Sequence, residues 1–210
     1  MATILLARHG ESDWNALLRW QGHADRPLTE RGRAQAAALA ERLVAVSLAA
    51  VYSSDLIRAR DTAQAVAERV RLTVITRRDL REVHVGSWTG LDRRETESRF
   101  PDGFRRWLEG GSGWEDGESY ERMAERVIAA VREIAAGHEG KTLLVVTHGG
   151  PIRALHAQAL GIDLLAHRRR VPVEPNARLS ALVIENGAFR RIDLPGAGGG
   201  LHEQVQRRAG

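Results

Sequence analysis

Two stretches of this chain are apolar without alternation. Ile4-Leu5-Leu6-Ala7 leads into Arg8-His9-Gly10, and Leu143-Leu144-Val145-Val146 leads into Thr147-His148-Gly149-Gly150. A short apolar run bounded by turn residues predicts a strand buried on both faces. The runs place strands over about 3–8 and 142–147, each delivering a histidine to a turn at the carboxyl edge of a sheet. Between and after them the pattern alternates helix and strand. Thr29, in Pro27-Leu28-Thr29, is placed as the N-cap of an Ala/Leu-rich helix that runs to about Val46. A strand over Ala50–Ser53 precedes a helix from Asp55 to about Val70, and Leu72–Thr76 is short and β-branched, hence a strand. Gly117-Glu118-Ser119 opens an amphipathic helix over Arg122–Ala136. Pro151, favoured in a first turn, begins a helix to about Leu160. Leu179–Ile184 and Phe189–Leu194 form a hairpin turned by Asn186-Gly187. The alternation predicts a layered α/β fold.

The length, 210 residues, suits one domain, placed over 1–194. Residues 86–117 are the least regular and carry Trp88, Trp107 and Trp114. They are expected to be an insertion that covers the catalytic edge. Residues 195–210, with Gly198-Gly199-Gly200, are expected to be a flexible tail.

Composition then narrows the chemistry. There is no cysteine, which excludes disulfides, thiolate catalysis and sulfur-ligated zinc. No pair of histidines has a convincing ligand spacing, so no metal is expected. No apolar run approaches the roughly 20 residues of a membrane span, and the start of the chain has no leader pattern. A cytoplasmic location without membrane contact is expected. The net charge is +4, with Lys141 the single lysine. The arginines are dispersed among acids rather than drawn into a basic stripe, which argues against a nucleic-acid partner. Arg168-Arg169-Arg170 is the one dense run and reads as a solvated loop before Val171-Pro172. A homodimer remains open.

Paired imidazoles at a sheet edge suit one small anion. Transfer of a phosphate monoester needs charge neutralisation, an in-line nucleophile and a proton for the leaving oxygen. His9 can attack as a neutral imidazole, Arg8 can clamp two oxygens through its fork, and His148 can add a second imidazole. Arg58, close to a helix N-terminus, competes with Arg60 for a further anion contact. Glu82 competes with Glu11 as proton donor. His84, two residues on, is either a substrate contact or an edge residue.

The chain resembles the histidine phosphatase superfamily, which includes cofactor-dependent phosphoglycerate mutases and many small phosphatases. The likeness rests on five ordered blocks. They are Arg8-His9-Gly10-Glu11-Ser12-Asp13-Trp14-Asn15; Gln21-Gly22 with Leu28-Thr29-Glu30-Arg31-Gly32; Ser53-Ser54-Asp55-Leu56 with Arg58-Ala59 and Asp61-Thr62-Ala63; Leu80-Arg81-Glu82 with Gly86 and Trp88-Thr89-Gly90; and Gly117-Glu118-Ser119 with Val146-Thr147-His148-Gly149-Gly150. The resemblance implies a three-layer α/β/α sandwich with a mostly parallel central sheet. It implies that His9 is phosphorylated, that Arg8, Arg58 and His148 bind the phosphoryl oxygens, and that Glu82 is the proton donor and later the base. Asn15, Gln21, Gly22, Ser12, Gly149 and His84 are the implied substrate-binding residues. No cofactor is implied. The expected function is metal-independent hydrolysis of a small phosphorylated metabolite. Mutase-type phosphoryl transfer is the alternative, because Arg93-Arg94 and Arg105-Arg106 could bind a second anion. A non-catalytic phosphate-binding module is the third reading.

Overall fold

The computed structural model describes residues 1–194, so the tail expected over 195–210 lies outside the described residues. In chain order the elements are β1 (Ala2–Arg8), α1 (Asp13–Ala16), α2 (Glu30–Leu43), β2 (Leu48–Ser54), α3 (Ile57–Val70), β3 (Val74–Arg77), α4 (Arg93–Arg99), α5 (Pro101–Leu108), α6 (Tyr120–Ala136), β4 (Thr142–Thr147), α7 (Gly149–Leu160), α8 (Leu164–Arg170), β5 (Leu179–Glu185) and β6 (Ala188–Ile192).

The six strands form one sheet in the order β3-β2-β4-β1-β5-β6. β3, β2, β4 and β1 run parallel, and β5 and β6 are antiparallel additions at one side. The unbroken apolar runs follow from layers on both faces. Ile4, Leu6, Leu143 and Val145 pack on one side with Met123, Val127 and Val131 of α6 and Ile152 and Leu155 of α7. Leu5, Ala7, Leu144 and Val146 pack on the other with Leu39 and Leu43 of α2 and Ala63 and Val66 of α3. With both faces dry, neighbouring side chains alternate sides without alternating polarity.

Local chemistry sets the element ends. Thr29 caps α2 by accepting from Gly32 N–H, and Ser119 caps α6 by accepting from Arg122 N–H. Asn186 (φ 50°) and Gly187 (φ 78°) are both left-handed, as a tight two-residue hairpin turn requires. Several boundaries differ from the expectation: α2 ends at Leu43 rather than about Val46, and β3 covers Val74–Arg77 rather than Leu72–Thr76. α3 starts at Ile57 rather than Asp55, α6 starts at Tyr120, and α7 starts at Gly149, with Pro151 in its first turn. Arg168-Arg169-Arg170 is not a loop but the last turn of α8, whose N-cap is Asp163.

Pairing of β1 with β4 is in register from Thr3–Thr142 to Arg8–Thr147. The residues that follow these strands, His9 and His148, therefore emerge side by side at the same edge.

Candidate active site

His9 and His148 are 3% and 0% exposed, with ring centroids 5.0 Å apart and planes at 61°. His9 Nδ1 lies 2.6 Å from the Gly10 carbonyl oxygen. A carbonyl only accepts, so Nδ1 carries the proton and Nε2 keeps its lone pair. Burial, reinforced by Arg58 and Arg8, holds His9 well below the ordinary imidazole value. His148 is lowered for the same leading reason, burial, with Arg58 next. Its Nε2 sits 2.9 Å from Ser54 Oγ, and its Nδ1 is buried without a partner.

Arg8 and Arg58 are fixed by main-chain carbonyls. Arg8 Nη1 donates to Glu174 O at 2.7 Å, while Arg58 Nη1 and Nη2 donate to Ala24 O at 2.7 Å and Gly22 O at 2.9 Å. The Nε of each is buried and unpartnered. Burial lowers Arg58 to about 10, so it stays charged at neutral pH. Buried, unpartnered donors are costly to keep and mark where an acceptor is recognised. Arg8 Nε, Arg58 Nε and His148 Nδ1 are three buried nitrogens without partners on neighbours of His9, although His148 itself does not line the cavity.

The Glu82 carboxylate is held by two backbone donors, Val83 N–H at 2.9 Å and Gly150 N–H at 3.2 Å. Gly150 permits that approach, since a Cβ there would lie 2.3 Å from Glu82 Oε1. The Glu82 carbonyl in turn accepts from His23 Nε2 at 2.7 Å and Arg126 Nη2 at 2.8 Å.

Arg8, His9, Asn15, Gln21, Gly22, Arg58, Glu82 and Gly149 line one cavity of about 470 Å³. Asn15 Oδ1 accepts from Ser12 N–H at 3.1 Å and Asn176 Nδ2 at 3.3 Å, which leaves its NH₂ for a ligand. Glu11 does not compete with Glu82. It accepts from the Thr29 hydroxyl and pairs with Arg31 at the start of α2. Arg60 is exposed beside Asp61, whereas Arg58 is 1% exposed.

Two expected substrate contacts are not in the cavity wall. Ser12 is fully buried, with its hydroxyl 2.7 Å from Gln21 Oε1 and its oxygen capping α1. It positions Gln21 and Asn15 instead. His84 turns to His23, with ring centroids 4.9 Å apart, because residues 81–85 are not an extended strand. Within 86–117, Arg93 and Trp107 reach the cavity, whereas Arg94 is exposed, Arg105 pairs with Asp102, and Arg106 pairs with Glu115.

Several contributors have no local sequence signal. His23 and Asn176, which donates to His9 O at 3.0 Å, are single polar residues in loops. Thr62, which accepts from Gly10 N–H at 2.9 Å, and Glu118, which pairs with Arg126, lie inside the quoted blocks. Arg153 and Arg168 line the cavity from α7 and α8. Among the described residues no group of three His, Cys, Asp or Glu side chains is placed to hold a metal ion. No described helix is long and apolar enough to cross a membrane.

The chain is similar to known proteins over most of its length. It is 38% identical over 166 residues to phosphoserine phosphatase 1 of Hydrogenobacter thermophilus, covering 78% of this chain and 79% of the relative. It is 42% identical over 158 residues to a metal-independent phosphoserine phosphatase of Arabidopsis thaliana, covering 73% and 66%. The structure of mycobacterial glucosyl-3-phosphoglycerate phosphatase in complex with VO3 superposes with a TM-score of 0.80 at 32% identity, covering 90% of this chain and 95% of that one. Residues 4–194 match the histidine phosphatase superfamily, branch 1, and the chain belongs to that family.

Proposed function

We infer that this protein is a metal-independent phosphomonoester hydrolase that works through a phosphohistidine on His9. The carrying observation is that His9, its Nε2 left free by the Nδ1–Gly10 contact, has Arg8, Arg58 and His148 as neighbours, each with a buried nitrogen that lacks a partner. Two buried guanidiniums and a second imidazole suit the charged oxygens of a phosphoryl group. The names of the relatives support the same reaction on small phosphorylated metabolites, one of them without a metal.

In the first step Nε2 attacks phosphorus, the bond to the leaving oxygen breaks, and Glu82 gives that oxygen its proton. A dianion beside a carboxylate favours the form that carries the proton. In the second step water attacks phosphorus as Glu82 takes its proton. The P–N bond breaks, inorganic phosphate leaves, and His9 returns neutral. Arg8, Arg58 and His148 hold the equatorial oxygens throughout, and Asn15, Gln21 and Gly22 flank them.

Phosphate release from p-nitrophenyl phosphate in excess chelator tests this reading, with His9→Ala alongside. Metal-independent release is expected from the native protein. It should fall by at least about 10⁴-fold in the variant, as for loss of a covalent nucleophile. Full activity of His9→Ala would falsify the phosphohistidine route. Isomerisation of phosphoglycerate without phosphate release would replace hydrolysis by transfer.

A further inference from the structure

Five consecutive residues, Gln21 to Asp25, each hold another residue in or beside the site. Gln21 Oε1 lies 2.7 Å from the Ser12 hydroxyl. The Gly22 and Ala24 carbonyls accept from the two terminal nitrogens of Arg58 at 2.9 and 2.7 Å. Asp25 Oδ1 accepts from Ile57 N–H at 2.6 Å, at the start of α3, the helix that carries Arg58. His23, between the two carbonyls, reaches Glu82, with Nε2 2.7 Å from its carbonyl oxygen.

This segment lies directly on the loop that carries Glu82. Gly22 is left-handed (φ 49°), and a Cβ there would stand 2.8 Å from Val85 Cγ2 and 2.9 Å from Val85 N. The His23 ring meets His84 edge-on, with centroids 4.9 Å apart and planes at 64°. His23 is half-buried and does not itself line the cavity. Since a carbonyl only accepts, Nε2 carries a proton. Burial, with His84, Arg126 and Arg81 acting in the same direction, lowers its pKa, so the donor at neutral pH is the uncharged ring.

The path from that hydrogen bond to the carboxylate is short. Glu82 C=O and Val83 N–H belong to one peptide unit, which is planar. Val83 N–H donates to Glu82 Oε1 at 2.9 Å. Whatever fixes the carbonyl therefore aims the N–H that grips the carboxylate. Arg126 Nη2, at 2.8 Å, is the second donor to that oxygen, so both of its lone pairs are used. Arg126 comes from α6, whereas His23 comes from the segment that fixes Arg58.

We propose that His23 is a positioning residue for the proton donor: its Nε2–H fixes the Glu82–Val83 peptide and through it the Glu82 carboxylate. One short segment then mounts both the phosphoryl clamp and the acid, and holds them in a fixed relation. This rests on the acid role given to Glu82 above.

The leaving group reads the acid, so the test is how kcat/KM depends on phenol pKa across aryl phosphates from p-nitrophenyl to phenyl phosphate. His23→Leu removes the donor and keeps much of the bulk. It should lower kcat/KM for phenyl phosphate at least about tenfold and for p-nitrophenyl phosphate about threefold or less, which steepens the dependence. His23→Gln, which returns an N–H donor at similar reach, should recover most of the native slope. In a Glu82→Gln background, already steep, His23→Leu should cost a further twofold or less (about), as for residues that act through one group. Melting curves show that each variant is folded. A uniform loss on all the esters, a glutamine variant no better than leucine, or an undiminished penalty in the Glu82→Gln background would overturn the role of His23 alone. A slope left unchanged by Glu82→Gln would overturn the acid role, and this one with it.

Discussion

At the scale of single residues, the candidate site is marked by buried polar atoms left without partners. The Gly10 carbonyl takes the proton-bearing nitrogen of His9 and so frees the other. Arg58 spends both terminal nitrogens on carbonyls, which orients Nε. Arg58→Lys keeps the charge but loses the fork, and kcat/KM for p-nitrophenyl phosphate should fall by about 10²-fold. A loss under threefold would remove Arg58 from the phosphoryl site. Glu82→Gln should cost poor leaving groups about 10²-fold or more and p-nitrophenolate much less, because only the poor ones need a proton. An equal loss across leaving groups would contradict the acid role. His9 must be neutral to attack, and burial with Arg58 and Arg8 lowers its pKa. The acid limb of kcat/KM, corrected for substrate ionisation, should therefore lie below the ordinary value of about 6.5. A limb at that value would show an exposed, unperturbed imidazole.

At the scale of elements, the carboxylate of Glu82 is only as well placed as the loop that carries it. Arg126 of α6 donates to Asp79 O at 2.9 Å, Arg81 O at 2.8 Å and Glu82 O at 2.8 Å, and it is clamped by Glu118. One guanidinium thus fastens this loop to a long helix. Arg126→Met should lower kcat most on poor leaving groups while KM moves little, and melting should show a folded protein. A uniform loss on all substrates would make the residue merely structural. Much of this was legible beforehand. Double-sided burial turns β1 and β4 into unbroken apolar runs, and each run ends at its histidine, so sequence and chemistry coincide there. Arg58 and Glu82 needed the resemblance to separate them from Arg60 and Glu11. Arg153, Arg168 and His23 were not legible. A helical arginine or loop histidine reads as solvated until tertiary packing brings a cavity to it, and Arg168 reaches Tyr120 only because α8 is a helix. Ser12 and His84, expected as substrate contacts, do not line the cavity. Adjacency in sequence to cavity-lining residues does not fix which way a side chain turns in a loop.

At the scale of the whole molecule, buried neutral histidines couple folding to pH. His156, 2% exposed and 3.0 Å from Ser180 Oγ, is lowered to about 4 by burial, and His167 is lowered in the same direction. Between these values and the unfolded value of about 6.5 the unfolded chain binds more protons, so stability rises with pH across that window. The contribution is full above about pH 6.5 and is lost as pH falls towards 4. The melting temperature should fall steadily over that range, and a flat profile would mean the histidines are hydrated.

The strand order also has a temporal meaning. β1 sits between β4 and β5, so residues 2–8 find their neighbours only among residues 142–147 and 179–185. During synthesis this oily strand has to wait for most of the chain to emerge. Such distant pairings slow folding and leave apolar segments exposed to aggregation or chaperones meanwhile. His9, at the end of β1, is thus made well before the strands that hold it in place.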